Sequence, residues 1–93
     1  MGRSNRSRPS KLGKKLKQIR LGLMLSQTQM VRTLGLTKEA VYPASISLYE
    51  QGLREPPLTV LLRYAQVANI CLDILADDKQ SLPHEIPAKK RIH

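Results

Sequence analysis

Leu12, Leu16, Ile19 and Leu23 stand at i, i+4, i+7 and i+11, a single stripe along a helix that Ser10 can cap and that runs to about Leu23. Lys11, Lys14, Lys15 and Gln18 form a second stripe, expected to face outward, which gives this helix a core side and a basic side. Ser26 is a good N-cap for a second helix, Gln27 to Leu34, with Met30, Val31 and Leu34 on its buried side and Gly35 just past its end. Farther along, Leu58 to Ala68 is a strongly apolar helix closed by Asn69. A short helix from Cys71 to about Ala76 follows, with Leu72, Ile74 and Leu75 apolar.

Between the second and fourth helices the pattern is less regular. Thr37 can cap a short turn through Lys38, Glu39 and Ala40. Pro43 pushes Tyr42 into an extended conformation and blocks a helix running straight through, yet proline suits a first helical position. A third helix therefore starts at Pro43, continues to about Gln51 and is closed by Gly52. Ile46 and Tyr49 share its inner face, which leaves Ala44, Ser45, Ser47 and Leu48 looking out as a narrow surface able to lie deep in a major groove. Residues 53–57 make a turn. Tyr64 is expected to be partly buried with a wet hydroxyl, and Cys71 to be a small buried filler in an N-cap slot.

These elements make an all-α chain in three parts: a basic N-terminal arm (1–10), a helical domain (11–76) and a C-terminal tail (77–93). In the tail Leu82 and Ile86 are apolar enough to pack on something, a second subunit included. The chain carries a net charge of +9, unevenly placed: residues 1–38 hold ten Lys and Arg and no acid, while residues 39–93 hold six against seven acids. A field concentrated in one segment points to a polyanionic partner, with a plain solvated basic face as the alternative. The arm either reaches phosphates or a minor groove, or is an idle tail.

The composition also excludes several classes. One cysteine rules out an internal disulfide framework and fits a reducing cytoplasm. No apolar run approaches the ~20 residues of a membrane span, and no hydrophobic segment follows the basic start as a secretory signal requires. Gly2 invites a myristoylation reading, which Arg6 defeats. His84 and His93 have no ligand spacing around them, so no metal or cofactor is expected. With no Cys–His pair, Gly-rich phosphate loop or carboxylate pair sharing a pocket, no catalytic residue is assigned and an enzyme is not expected.

The runs Leu25-Ser26-Gln27, Leu34-Gly35, Ile46-Ser47-x-Tyr49-Glu50-x-Gly52 and Arg54-Glu55-Pro56 resemble, in this order, the Xre/Cro type of helix-turn-helix, the fold of lambda-type phage repressors. The resemblance covers about Leu12 to Leu75. It implies a five-helix, lambda-repressor-like domain that binds double-stranded DNA as a homodimer, with helix 3 in the major groove and helix 2 across the backbone. By this likeness Gln27 takes a phosphate-binding place; Gln29 beside it lies near the same helix end. Ala44, Ser45 and Leu48 take base-contacting places, and Gln51 and Arg54 phosphate-contacting ones. Arg20 and Glu50 match an internal ion pair tying helix 1 to helix 3, which makes Glu50 structural.

The sequence departs from this pattern in three ways. About five extra residues before Ile46 lengthen the turn and bring in Lys38 and Tyr42, the latter either touching DNA or packing the insert against the core. Met24 stands where a glycine normally ends helix 1. The base-reading positions lack Arg, Asn and Gln, so specificity leans on thymine methyls, single hydrogen bonds, Lys38, Tyr42, the arm or DNA shape. The expected function is a cytoplasmic, nucleoid-associated transcription regulator, acting as a repressor. Two other readings stand beside it: an antitoxin or adaptor that binds a protein partner through residues 77–93, and a basic RNA-binding accessory protein.

Overall fold

The computed structural model describes residues 11–38 and 40–87. The arm (1–10), Ser10 as a helix cap, Glu39 and residues 88–93 lie outside the described residues. The chain is all-helical: α1 Leu12–Gly22, α2 Gln27–Leu34, α3 Pro43–Gln51, α4 Leu58–Ala68 and α5 Leu72–Ala76, with no strand among the described residues.

Local chemistry sets most of the helix ends. Ser26 starts α2 with a capping box, its Oγ accepting from the Gln29 N–H (3.1 Å) while Gln29 Oε1 accepts from the Ser26 N–H (2.8 Å). Pro43 opens α3 after Tyr42 in extended conformation (φ −121°, ψ 165°). Gly35 closes α2 in the left-handed region (φ 63°). Three other helices end through paired 6→1 and 5→2 backbone bonds around a left-handed residue. At Gly52 (φ 76°) these are Leu53 N–H to Leu48 O and Gly52 N–H to Tyr49 O. At Asn69 (φ 60°) they are Ile70 N–H to Ala65 O and Asn69 N–H to Gln66 O. α1 closes the same way around Met24 (φ 61°), a residue that pays for this conformation with strain a glycine lacks.

The core is built from Leu16, Ile19, Met30, Leu34, Ile46, Val60, Tyr64 and Leu75, all fully buried. Burying each of the larger aliphatic side chains contributes roughly 1.5–3 kcal/mol, so this small set carries most of the driving force. α1 comes close to α3 at Gly13, where a Cβ would come 2.7 Å from Glu50 O and 2.8 Å from Tyr49 O. Only a residue without a side chain permits that approach. Arg63 of α4 donates from Nε to Leu34 O (2.8 Å), satisfying a carbonyl at the end of α2.

Three expectations are corrected here. Lys15 does not face outward: it is 3% exposed, and its Nζ donates to Ile74 O (2.6 Å) and Asp77 O (2.9 Å) at the end of α5. A cation meeting the free carbonyls of a helix C-terminus is electrostatically favoured, which explains why the lysine turns inward. Tyr64 is fully buried, with no hydrogen-bond partner for its hydroxyl among the described residues, and burial pushes its phenol above the ordinary tyrosine range. Cys71 does hold the N-cap position of α5, but it is exposed.

The described part of the tail returns to its own domain. The Lys11 N–H donates to Asp78 Oδ1 (3.1 Å) at the start of α1, and at its other end a Cβ on Gly22 would lie 2.6 Å from Ile86 Cγ1. Leu82 and Ile86 are half-buried against the core. No helix among the described residues is long and apolar enough to cross a membrane.

Candidate functional site

The residues singled out from the sequence gather around the junction of α1, α2 and α3, where one carboxylate holds three elements together. Arg20 Nε donates to Glu50 Oε2 (2.7 Å) and Nη2 to Oε1 (3.0 Å), a bidentate pair with side chains 11% and 5% exposed. The remaining guanidinium nitrogen, Nη1, donates to Leu25 O (3.0 Å), immediately before the α2 cap. Gln27 Nε2 donates to Glu50 Oε1 (3.3 Å). Glu50 thus receives three hydrogen bonds, and its hydrogen bond to Arg20 raises the guanidinium pKa further above an already high value. Such bidentate, charge-assisted contacts fix orientation as well as distance. They lock α3 against α1 and the start of α2.

Gln27 is half-buried and directed partly at Glu50, while Gln29 is exposed with its amide oxygen engaged in the capping box. The Gln29 N–H is taken by Ser26 Oγ, which leaves the earlier backbone N–H groups of α2 for any outside acceptor.

Along α3, Ala44 and Gln51 are exposed and Ser47 and Leu48 half-buried. Gln51 Nε2 donates to Ser47 Oγ (2.8 Å), so one turn of the outer face carries a pre-set amide and hydroxyl. Tyr42, at 63% exposure, flanks the start of this face, and Lys38 and Arg54 are exposed on either side in sequence. Ser45 is the exception. It is 4% exposed, and its Oγ accepts a hydrogen bond from the Tyr42 N–H (3.2 Å), so it does not look outward as expected. As the third helical residue it satisfies the backbone donor that the insert delivers to the start of α3.

Among the described residues of the insert no helical turn is present: the chain bends at Thr37–Lys38, and Leu36 and Val41 pack against the core at its two ends. The physical result is a surface of small side chains with little charge. Glu50 is the only ionisable carboxylate in α3, and Arg20 matches it. Gly13 was missed by the sequence reading, although a glycine inside a helical pattern, costing ~1 kcal/mol against alanine, is itself a sign of close packing.

Among the described residues no group of three or more His, Cys, Asp or Glu side chains is placed to hold a metal ion. No protein-family model, characterised protein or solved structure matches the chain.

Proposed function

We propose that this chain is a sequence-specific, double-stranded DNA-binding transcription regulator of the helix-turn-helix type, acting as a repressor, with α3 as the recognition helix. The observation that carries the reading is the outer face of α3. Ala44, Ser47, Leu48 and Gln51 are small or uncharged, and the Arg20–Glu50–Gln27 network fixes the helix that presents them. A helix whose outer side chains are short can approach base edges in a groove about 12 Å wide.

In this arrangement α2 meets the backbone with its N-terminal N–H groups and Gln27, while Lys38, Gln51 and Arg54 supply phosphate contacts around α3. Ala44 and Leu48 present methyl groups to thymine, Ser47 or Gln51 gives a hydrogen bond, and Tyr42 borders the groove. Ser45 acts from inside, holding the start of the helix. The protein pairs as a homodimer on half-sites about one helical turn apart and works in the cytoplasm at the nucleoid. The adaptor reading places a partner on residues 77–93; the packing of Leu82 and Ile86 against their own core speaks against it for the described part of that segment.

Selection from a randomised duplex library, followed by titration of the enriched site at several salt concentrations, tests the proposal. An enriched motif and a steep fall of affinity with salt are expected. Binding that shows no base preference, or a preference for structured RNA over duplex DNA, would overturn it.

A further inference from the structure

α3 presents no cation of its own: Pro43–Gln51 contains one ionisable side chain with a full charge at neutral pH, Glu50, and Arg20 neutralises it. If α3 reads bases, the attraction to phosphate has to come from elements beside it. α1 supplies them. Gly13 rests against the Tyr49 and Glu50 carbonyls, and Arg20 reaches Glu50 from the same stripe, so this side of α1 faces the C-terminal end of α3.

At ~100° per residue, Lys17 lies about 40° round the helix from Gly13 and Lys14 about 100° in the same direction, both turning away from the buried Leu12, Leu16 and Ile19. Both lysines are exposed, and no hydrogen bond or ion pair holds either ammonium among the described residues. Lys15, by contrast, is committed to α5, and the Lys11 backbone N–H meets Asp78 at the start of α1.

We infer that Lys14 and Lys17 form a phosphate clamp on the same duplex, beside the end of α3, so that α3 sets base preference and α1 supplies much of the affinity. This rests on the reading of α3 as the DNA-contacting helix. Each phosphate neutralised contributes ~0.9 to the slope of log affinity against log salt. The two lysines together therefore account for a slope of about 1.8.

The test compares four full-length proteins on the enriched duplex: wild type, Lys17→Gln, Lys14→Gln/Lys17→Gln, and Lys79→Gln. Lys79 is exposed on the tail and controls for loss of one charge. Glutamine is nearly as good a helix former as lysine, so the folding of α1 is preserved and unchanged thermal unfolding verifies it. The double variant should lower the salt slope by about 1.8 and keep the wild-type base preference, with Lys17→Gln lowering it about half as much and more than Lys79→Gln. Equal slopes for Lys17→Gln and Lys79→Gln, or an altered base preference in the double variant, would overturn the clamp while leaving the reading of α3 standing. A wild-type chain that binds no duplex defeats both.

Discussion

Replacing Glu50 with glutamine removes one charge and keeps the shape of the side chain, so it separates the ion pair from packing. Arg20 is left almost buried, with an amide where its carboxylate had been. With contacts of 2.7 and 3.0 Å the charge centres stand about 4 Å apart, and unit charges at that separation interact by about 4 kcal/mol at an effective dielectric of ~20. Removing one partner of a buried pair costs about 3–5 kcal/mol, in line with that figure. At ~0.05–0.15 kcal/mol per residue, the described part of the chain has a total stability of roughly 4–11 kcal/mol. The substitution therefore removes a large share of it, and Tm should fall by more than ~10 °C. Thermal and urea unfolding followed by circular dichroism measure the loss. The double variant Arg20→Met/Glu50→Leu completes the argument, because with both charges gone nothing is left uncompensated and most of the stability should return. A Glu50→Gln protein within about 1 kcal/mol of wild type, or a double variant worse than the sum of the singles, would refute the claim that this pair ties α1 to α3.

Three further outcomes follow from individual side chains and glycines. Met24 is 83% exposed at φ 61°, so Met24→Gly relieves about 1 kcal/mol of left-handed strain and should raise Tm by ~4–8 °C; a lower Tm would contradict the capping geometry. Gly13→Ala gains up to ~1 kcal/mol in helix propensity but forces its Cβ onto the Tyr49 and Glu50 carbonyls, so a net loss of ~1–3 kcal/mol is expected in urea unfolding, whereas propensity alone predicts a gain. Burial raises the phenol pKa values of Tyr64 and Tyr49 in the folded protein. Their contribution is complete below the unfolded tyrosine value of ~10 and is lost as pH rises above it, at about 1.4 kcal/mol per pH unit for each group while it stays protonated only when folded. Tyrosinate absorbance and helical circular dichroism should therefore change together on alkaline titration; ionisation of both phenols with the helices intact would refute it.

Helix boundaries were legible because their signals are local. Ser26, Gly35, Pro43, Gly52 and Asn69 each act through their own backbone or an adjacent turn, and all five mark ends where expected. The Arg20–Glu50 contact spans 30 positions and no periodicity reveals it; the likeness to a known pattern did. Orientation within a helix was harder to read. The charge of Lys15 argues for the surface, although it stands three positions after Leu12 and four before Ile19, on the edge of the buried stripe. What could not be read was that the carbonyls of α5, 59 residues later, would meet it. Ser45 was misplaced for a related reason. A polar residue on a short helix looks solvent-facing, yet its hydroxyl answers a backbone N–H that the long insert leaves without a partner in α3. Tyr64 follows the opposite logic, its whole ring and hydroxyl drawn inside although the hydroxyl finds no hydrogen-bond partner among the described residues.

The same reasoning explains why α1 organises the molecule. Its eleven residues divide their faces among different kinds of partner. Leu12, Leu16 and Ile19 enter the core by apolar burial. Gly13 and Arg20 face α3, one by having no side chain and the other by a charge that Glu50 answers. Lys15 and Gly22 face α5 and the returning tail, again one by charge and one by absence of bulk. Both flanking elements are therefore fixed by a close approach and an ionic or charge-assisted contact, a combination that resists sliding as well as separation, since sliding breaks the contact and separation opens a void. A helix held so firmly on three sides keeps the angle of α3 independent of the long insert before it. Its fourth side then carries the exposed Lys14 and Lys17.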